Sequence, residues 1–194
     1  MIALYPEFID KFIYLLLYFF VMPVNIPVHE STPQIKYRGL CDFQGLLSAM
    51  RQWIVDQGYT FNEFEYKYKP AEHEIGWNGT RNLTNFFQFQ VIVYFHVWDY
   101  KDVEVVKDGK KTTLQNVRML IEITGTLVVD YKGLFEKTSF LLAIRDFLMK
   151  YVWRKKITGG LGDELYYITY KLHRLTKEHL NMETKTDSSR YRYP

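Results

Sequence analysis

Residues 87–98, FQFQVIVYFHVW, decide the fold. Their odd positions, Phe87, Phe89, Val91, Val93, Phe95 and Val97, are apolar without exception. Their even positions mix Gln88, Gln90, Ile92, Tyr94, His96 and Trp98. Successive side chains of a strand point to opposite faces, so a period of two over this length marks a strand with one face in a core. Residues 117–129, VRMLIEITGTLVV, repeat the pattern. Val117, Met119, Ile121, Ile123, Leu127 and Val129 share the odd face with Gly125, and Arg118, Glu122, Thr124 and Thr126 take the other.

Val106 to Lys110 between these runs contains Asp108-Gly109 and reads as a hairpin turn. A two-residue turn there would set odd positions against even ones and turn one core face outward. A three-residue loop over Lys107–Gly109, with Gly109 left-handed in a G1 bulge, sets Val97 against Met119, Phe95 against Ile121, Val93 against Ile123 and Phe89 against Leu127. Core then meets core, and this register with its bulge at Gly109 is the expectation.

Upstream, Tyr59 to Tyr68 alternates Phe64, Tyr66 and Tyr68 with Glu63, Glu65 and Lys67, and Glu72 to Asn78 reads as a short strand carrying Ile75 and Trp77. Before them, Asp42 can cap a helix with Phe43, Leu46, Leu47, Met50 and Ile54 at helical spacing, and Gly58 supplies its left-handed stop. After Asp130, Phe140, Leu141, Ile144, Phe147, Leu148, Tyr151 and Val152 form the stripe of a second helix, with Ser139 at its cap and Gly159-Gly160 at its end. A third starts near Asp163 and carries Leu165, Ile168, Leu172, Leu175 and Leu180. The expected fold is α+β: a four-strand antiparallel meander with one N-terminal and two C-terminal helices packed on one face. The single domain is placed at 37–183. Residues 1–36 form an apolar N-terminal segment and an extended lead-in, where Pro23, Pro27 and Pro33 disfavour helix, and 184–194 form a polar, disordered tail.

The 194 residues, 47% apolar and 24% charged, suit one globular domain. With 25 basic against 22 acidic residues, net charge +3 is too even to imply a nucleic-acid-binding face. One cysteine, Cys41, excludes a disulfide within the chain and favours a reducing, cytoplasmic setting. Residues 12–22, FIYLLLYFFVM, are too short to span a bilayer as a helix, and no positive region precedes them. Three readings stay open: a membrane-surface or partner-binding anchor through residues 8–22, an apolar helix packed on the domain, or a native start at Met22.

No catalytic, metal or nucleotide motif stands out. His73 lies between Glu72 and Glu74, which point away from it on a strand. His96, His173 and His179 show no metal-ligand spacing, so no metal site is expected. Cys41 has no visible base, and Asp42 beside it raises a thiol pKa. Gly159-Gly160-Leu161-Gly162 matches no phosphate-binding loop and reads as an interhelix connection. The sequence implies no cofactor and no catalytic residue. Lys150, Arg154, Lys155 and Lys156 form a basic patch that suits a negative helix C-terminus, or contact with acidic lipid, RNA or an acidic partner.

In the expected register Trp98 opposes Arg118, Tyr94 opposes Glu122, His96 opposes Leu120 and Ile92 opposes Thr124. An outer face with Ile92, Tyr94, His96, Trp98, Arg118 and Leu120 is unusually apolar and aromatic, and makes these residues the candidate interface for a protein partner or a second copy. The leading expectation is thus a non-enzymatic interaction or structural module. The alternatives are a small-ligand or enzymatic cup between sheet and helices, and a membrane-proximal protein. The stretches VEVVKDGKK (Val103–Lys111) and DELYYITYKLH (Asp163–His173) resemble those of uncharacterised archaeal proteins of unassigned function, over about Tyr37 to Thr184. The resemblance implies a cytoplasmic domain beginning after Met22, and no activity.

Overall fold

The computed structural model describes residues 23–29, 31–69, 72–107 and 110–182. The expectations for the N-terminal run and the tail fall on 1–22 and 183–194, outside the described residues.

The fold is α+β, with every strand pairing antiparallel. The meander is present as β3 (Thr60–Lys69), β4 (Glu72–Asn82), β5 (Phe87–Lys107) and β6 (Lys110–Val129). The sheet is wider than four strands, because the lead-in joins it. β1 (Val24–Pro27) and β2 (Gln34–Cys41) both pair with β6, giving the order β1/β2–β6–β5–β4–β3. Together they form one interrupted edge strand. Val24 to Pro27 pair with Val129 to Thr126, and Gln34 to Cys41 pair with Glu122 to Gln115. Between them the backbone leaves the ladder, held by Val28 N–H to the Gly125 carbonyl (3.0 Å) and by Ile123 N–H to the Pro33 carbonyl (3.3 Å). Pro27 and Pro33 bracket the gap, as residues without an N–H do at sheet edges.

The central register is the expected one: Val97 faces Met119, Phe95 faces Ile121, Val93 faces Ile123 and Phe89 faces Leu127. The bulge that produces it is elsewhere. Lys107 pairs with Lys110, which leaves a two-residue connection whose members, Asp108 and Gly109, lie outside the described residues. The offset is made instead where Asp99 and Tyr100 oppose Val117 alone, with Asp99 at φ 58°. Aspartate is among the few side chains that tolerate this left-handed conformation. The bulge turns Tyr100 inward, where its ring meets Phe43 and stacks on His73 at 4.4 Å.

A second bulge, at Phe64, corrects the alternation read for β3. Phe64 crosses to the outer face and its ring lies over Gly76, where an added Cβ would come within 2.7 Å of it.

α1 (Phe43–Asp56) buries Phe43, Leu46, Met50 and Ile54. Asp42 caps it, accepting from Gly45 N–H at 2.8 Å, and Gly58 at φ 77° ends it. The free N–H of Phe43 donates to Gln115 Oε1 of β6 (3.1 Å), while Gln115 Nε2 donates to Asp102 (2.9 Å). A polar residue in the core is thereby satisfied on both sides. The last helix, α3 (Gly162–His179), packs Leu165, Ile168, Thr169, Leu172 and Thr176 on the sheet and on α1.

α2 (Ser139–Phe147) departs from expectation. Thr138, not Ser139, caps it, accepting from Leu141 N–H at 3.3 Å. Its one buried residue is Arg145, while Phe140 is 72% and Phe147 57% exposed. Of the stripe read as a core face, Phe140, Phe147, Tyr151 and Val152 look outward, while Leu141, Ile144 and Leu148 are half-buried. The described core is already filled by α1, α3 and Ile157, so α2 extends beside it, its main contacts being with the turn that follows. Gly159-Gly160 does not break the chain either. Two π-helical turns, Leu148–Val152 and Lys156–Leu161, carry it into α3, and the interruption falls at Trp153, packed against Phe86 and Phe87.

Candidate functional site

The packed helices α1 and α3 lie on the odd face of the sheet, which leaves the even face open. Across β3, β4, β5, β6 and β2 the pairings set three rows on it. Lys69, Glu72, Trp98, Arg118 and Arg38 form one row. Lys67, Glu74, His96, Leu120 and Lys36 form the next. Glu65, Gly76, Tyr94, Glu122 and Gln34 form the third. Towards the other end the face turns to amides: Gln90 donates to Asn78 and Gln88 to Asn82. The aromatic half is therefore a distinct region.

All six candidate interface residues lie on this face, but they are less open than an apolar patch requires. Tyr94 is 40% exposed, whereas Ile92, His96, Trp98 and Leu120 are half-buried. They cover one another. His96 stacks on Trp98 at 3.9 Å, the Arg118 guanidinium sits 5.1 Å from the Trp98 ring, and the bulged Phe64 meets Tyr94 edge-on at 5.4 Å. Between β3 and β6 a hollow of about 210 Å³ remains, lined by Glu65, Glu74, Tyr94, His96, Leu120 and Glu122.

His96 Nε2 lies 2.8 Å from Glu72 Oε1 and 3.8 Å from Glu74 Oε1, so two carboxylates and an imidazole converge. The spacing would admit a metal ion. The carboxylates are already engaged, Glu74 by Lys67 at 3.2 Å and Glu72 by Lys69 at 3.3 Å, and the bonds from His96 and then Lys69 hold the Glu72 carboxyl below its ordinary range. A cation would have to displace two ammonium groups, so the set reads as a cross-strand charge network. Sequence reasoning missed it because its partners sit on different strands, in a register no local motif specifies.

The remaining residues separate. His73 points into the core away from Glu72 and Glu74, only 4% exposed, between the rings of Tyr68 and Tyr100, with Nε2 unpartnered. Cys41 is buried, and burial followed by the Asp42 charge pushes its thiol up to about 11, far from a nucleophile's range. Lys150, Arg154, Lys155 and Lys156 are exposed beside the outward stripe of α2.

A second cleft, of about 190 Å³, opens on the helix side where the edge strand is interrupted. Sequence reasoning found His173 on this helix but missed His29, which closes the cleft from the β1–β2 connection. The only trace of it in the sequence is the Pro27–Pro33 bracket. Among the described residues no helix is long and apolar enough to cross a membrane. No family model matches the chain, and no curated protein is significantly similar to it.

Proposed function

We propose that the protein is a non-enzymatic interaction module that receives a protein partner on the open face of its sheet. The observation that carries this reading is the hollow around Tyr94, with Glu65, Glu74 and Glu122 on its walls. A lysine or arginine side chain of a partner would gain a cation–π contact with Tyr94 and would join a network in which Lys67 already pairs Glu65 and Glu74 and Gln34 donates to Glu122. The rings around it are rigid and half-covered, so a partner would find an ordered surface and lose little side-chain entropy on docking. A Tyr94→Glu, Trp98→Glu double variant should keep its secondary structure and cooperative unfolding, because the core lies on the opposite face. It should lose its co-purifying partner or its assembly. Unchanged oligomeric state and unchanged co-purifying proteins in a folded variant would sink the reading.

A second reading rests on a different surface. Phe140, Phe147, Tyr151 and Val152 are each more than half exposed, an apolar strip beside Lys150, Arg154 and Lys155. Apolar groups flanked by cations favour an anionic bilayer surface. The protein should then sediment with vesicles containing phosphatidylserine but not with phosphatidylcholine alone, and Phe140→Glu, Phe147→Glu should abolish it. Equal recovery with both vesicle types, or none, removes this reading.

A further inference from the structure

We propose that the cleft between α3 and the β1–β2 connection is a binding site for a small organic anion, an oxyanion group carried on an apolar body. The site is built by the interruption of the edge strand. Where β1 and β2 leave β6 open, His29 folds back over α3, and its ring meets Tyr166 at 5.2 Å. Pro33 and Ile123 supply apolar wall, as do the rings of Tyr166 and Tyr170. Into the same space α3 directs Thr169, His173 and Lys177, four residues apart and hence on one helix face.

The hydrogen bonds assign the roles. Thr169 Oγ1 donates to carbonyl oxygens of its own helix, those of Tyr166 at 2.8 Å and Leu165 at 3.2 Å. Its lone pairs can then accept from His29 Nε2, 2.9 Å away, when the imidazole carries its proton there. In that tautomer Nδ1 is the atom that can take up a second proton. His173 lies one helical turn before Lys177. Burial, then the Lys177 charge and His29, hold its imidazole below the ordinary range, and burial alone does so for His29. Among the described residues, the charged and titratable groups facing the cleft are Lys177, His173 and the tyrosines of α3, with His29 from the connection. β6 contributes only Ile123.

Among the described residues no carboxylate lines this cleft and Lys177 forms no ion pair. One fixed cation and two imidazoles able to become cations therefore face a partly dry space in which no described residue carries the opposite sign; Glu30, next to His29 in sequence, lies outside the described residues. An anion supplies the missing charge. It makes protonation of His29 and His173 favourable, so binding and proton uptake are linked. The volume and the apolar walls suit a small monocarboxylate better than a bare inorganic ion, which would leave the ring faces unused.

The test uses the full chain with benzoate and inorganic phosphate as probes, read by the side-chain nitrogen and carbon resonances of the histidines. Benzoate should shift His29 and His173 together, with saturation on the order of 10 mM or below. Its affinity should rise several-fold between about pH 7.5 and about pH 5.5, as the imidazoles gain protons. Lys177→Gln, at a half-exposed position, should weaken binding about tenfold while leaving the unfolding midpoint near that of the parent. Phosphate binding at the same histidines with no response to benzoate would keep the oxyanion site and overturn the organic-anion assignment. No shift at either histidine with either probe overturns the proposal. So does benzoate binding that is independent of both pH and Lys177.

Discussion

Replacing Asp130 with alanine should destabilise the protein by about 4 kcal/mol, among the largest effects expected of any single polar residue. Asp130 ends β6, is fully buried, and holds a left-handed backbone at φ 58°. Its carboxyl oxygens accept from Leu134 N–H at 2.7 Å and Phe135 N–H at 3.0 Å, so one side chain closes the turn that leads from the sheet to α2. Its own N–H donates to the Phe86 carbonyl at 2.7 Å, which ties the turn to the start of β5. Alanine removes both acceptors and leaves two donors with no partner, about 1.5 kcal/mol each for bonds to a charged group. It also places a residue with little left-handed tolerance at that backbone, about 1 kcal/mol more. Asparagine retains the conformation and one acceptor oxygen, so Asp130→Asn should cost about half as much. Urea unfolding of the two variants separates the contributions. A loss below about 1 kcal/mol for alanine would mean that the turn is held by other contacts.

Nothing local in the sequence distinguishes Asp130 from the other polar residues that punctuate the chain, and this marks the limit of what patterning can reveal. The β5–β6 pairing was legible because a slip of one residue exposes six apolar side chains, so only one register is physically acceptable. The position of the bulge was not. Any odd insertion between Val97 and Val117 restores the match, and Gly109 and Asp99 are both chemically suited to provide it. The edge strands were hidden for a related reason. Val24 to Cys41 are short, half-exposed and interrupted by proline, and their pairing depends on the long β6 already being there. α2 misled for the opposite reason. Its apolar period is genuine, but periodicity reports that a helix has an apolar face and not what covers it.

The two surfaces of interest were unequally visible. The open face followed directly from the register, including the pairing of Trp98 with Arg118 and of His96 with Leu120. Its acidic hollow did not, because Glu65 reaches it only through the bulge at Phe64, and Glu74 only through the pairing of β4 with β5 that sets it against His96. The histidine cleft was the least legible. His29 and Thr169 are 140 positions apart, and each is unremarkable in its own segment. What brings them together is the local absence of edge pairing on β6.

That absence also explains the glycine at its centre, and a substitution there should cost about 3 kcal/mol. Gly125 lies on the core face of β6, opposite Val91, at the level of the strand interruption. A Cβ added there would stand 2.7 Å from Thr169 Cγ2 and 3.1 Å from Leu165 Cγ, so α3 rests directly on the strand backbone at this point. Leu165 and Thr169 are both buried and cannot swing outward. Gly125→Val must therefore push α3 away from the sheet, which places its cost at the upper end for overpacking. Because β-branched residues otherwise favour strands, a stabilised variant would be the outcome if the helix were free to move. Gly125→Ala should cost less. Adding Thr169→Ser should recover more than half of that loss, since serine removes Cγ2 but keeps the hydroxyl that accepts from His29. Thermal or urea unfolding of the two singles and the double gives the coupling directly. Strict additivity would mean that the contact between Gly125 and Thr169 is not what limits the approach of α3, and that the helix side of the cleft is set by Leu165 instead.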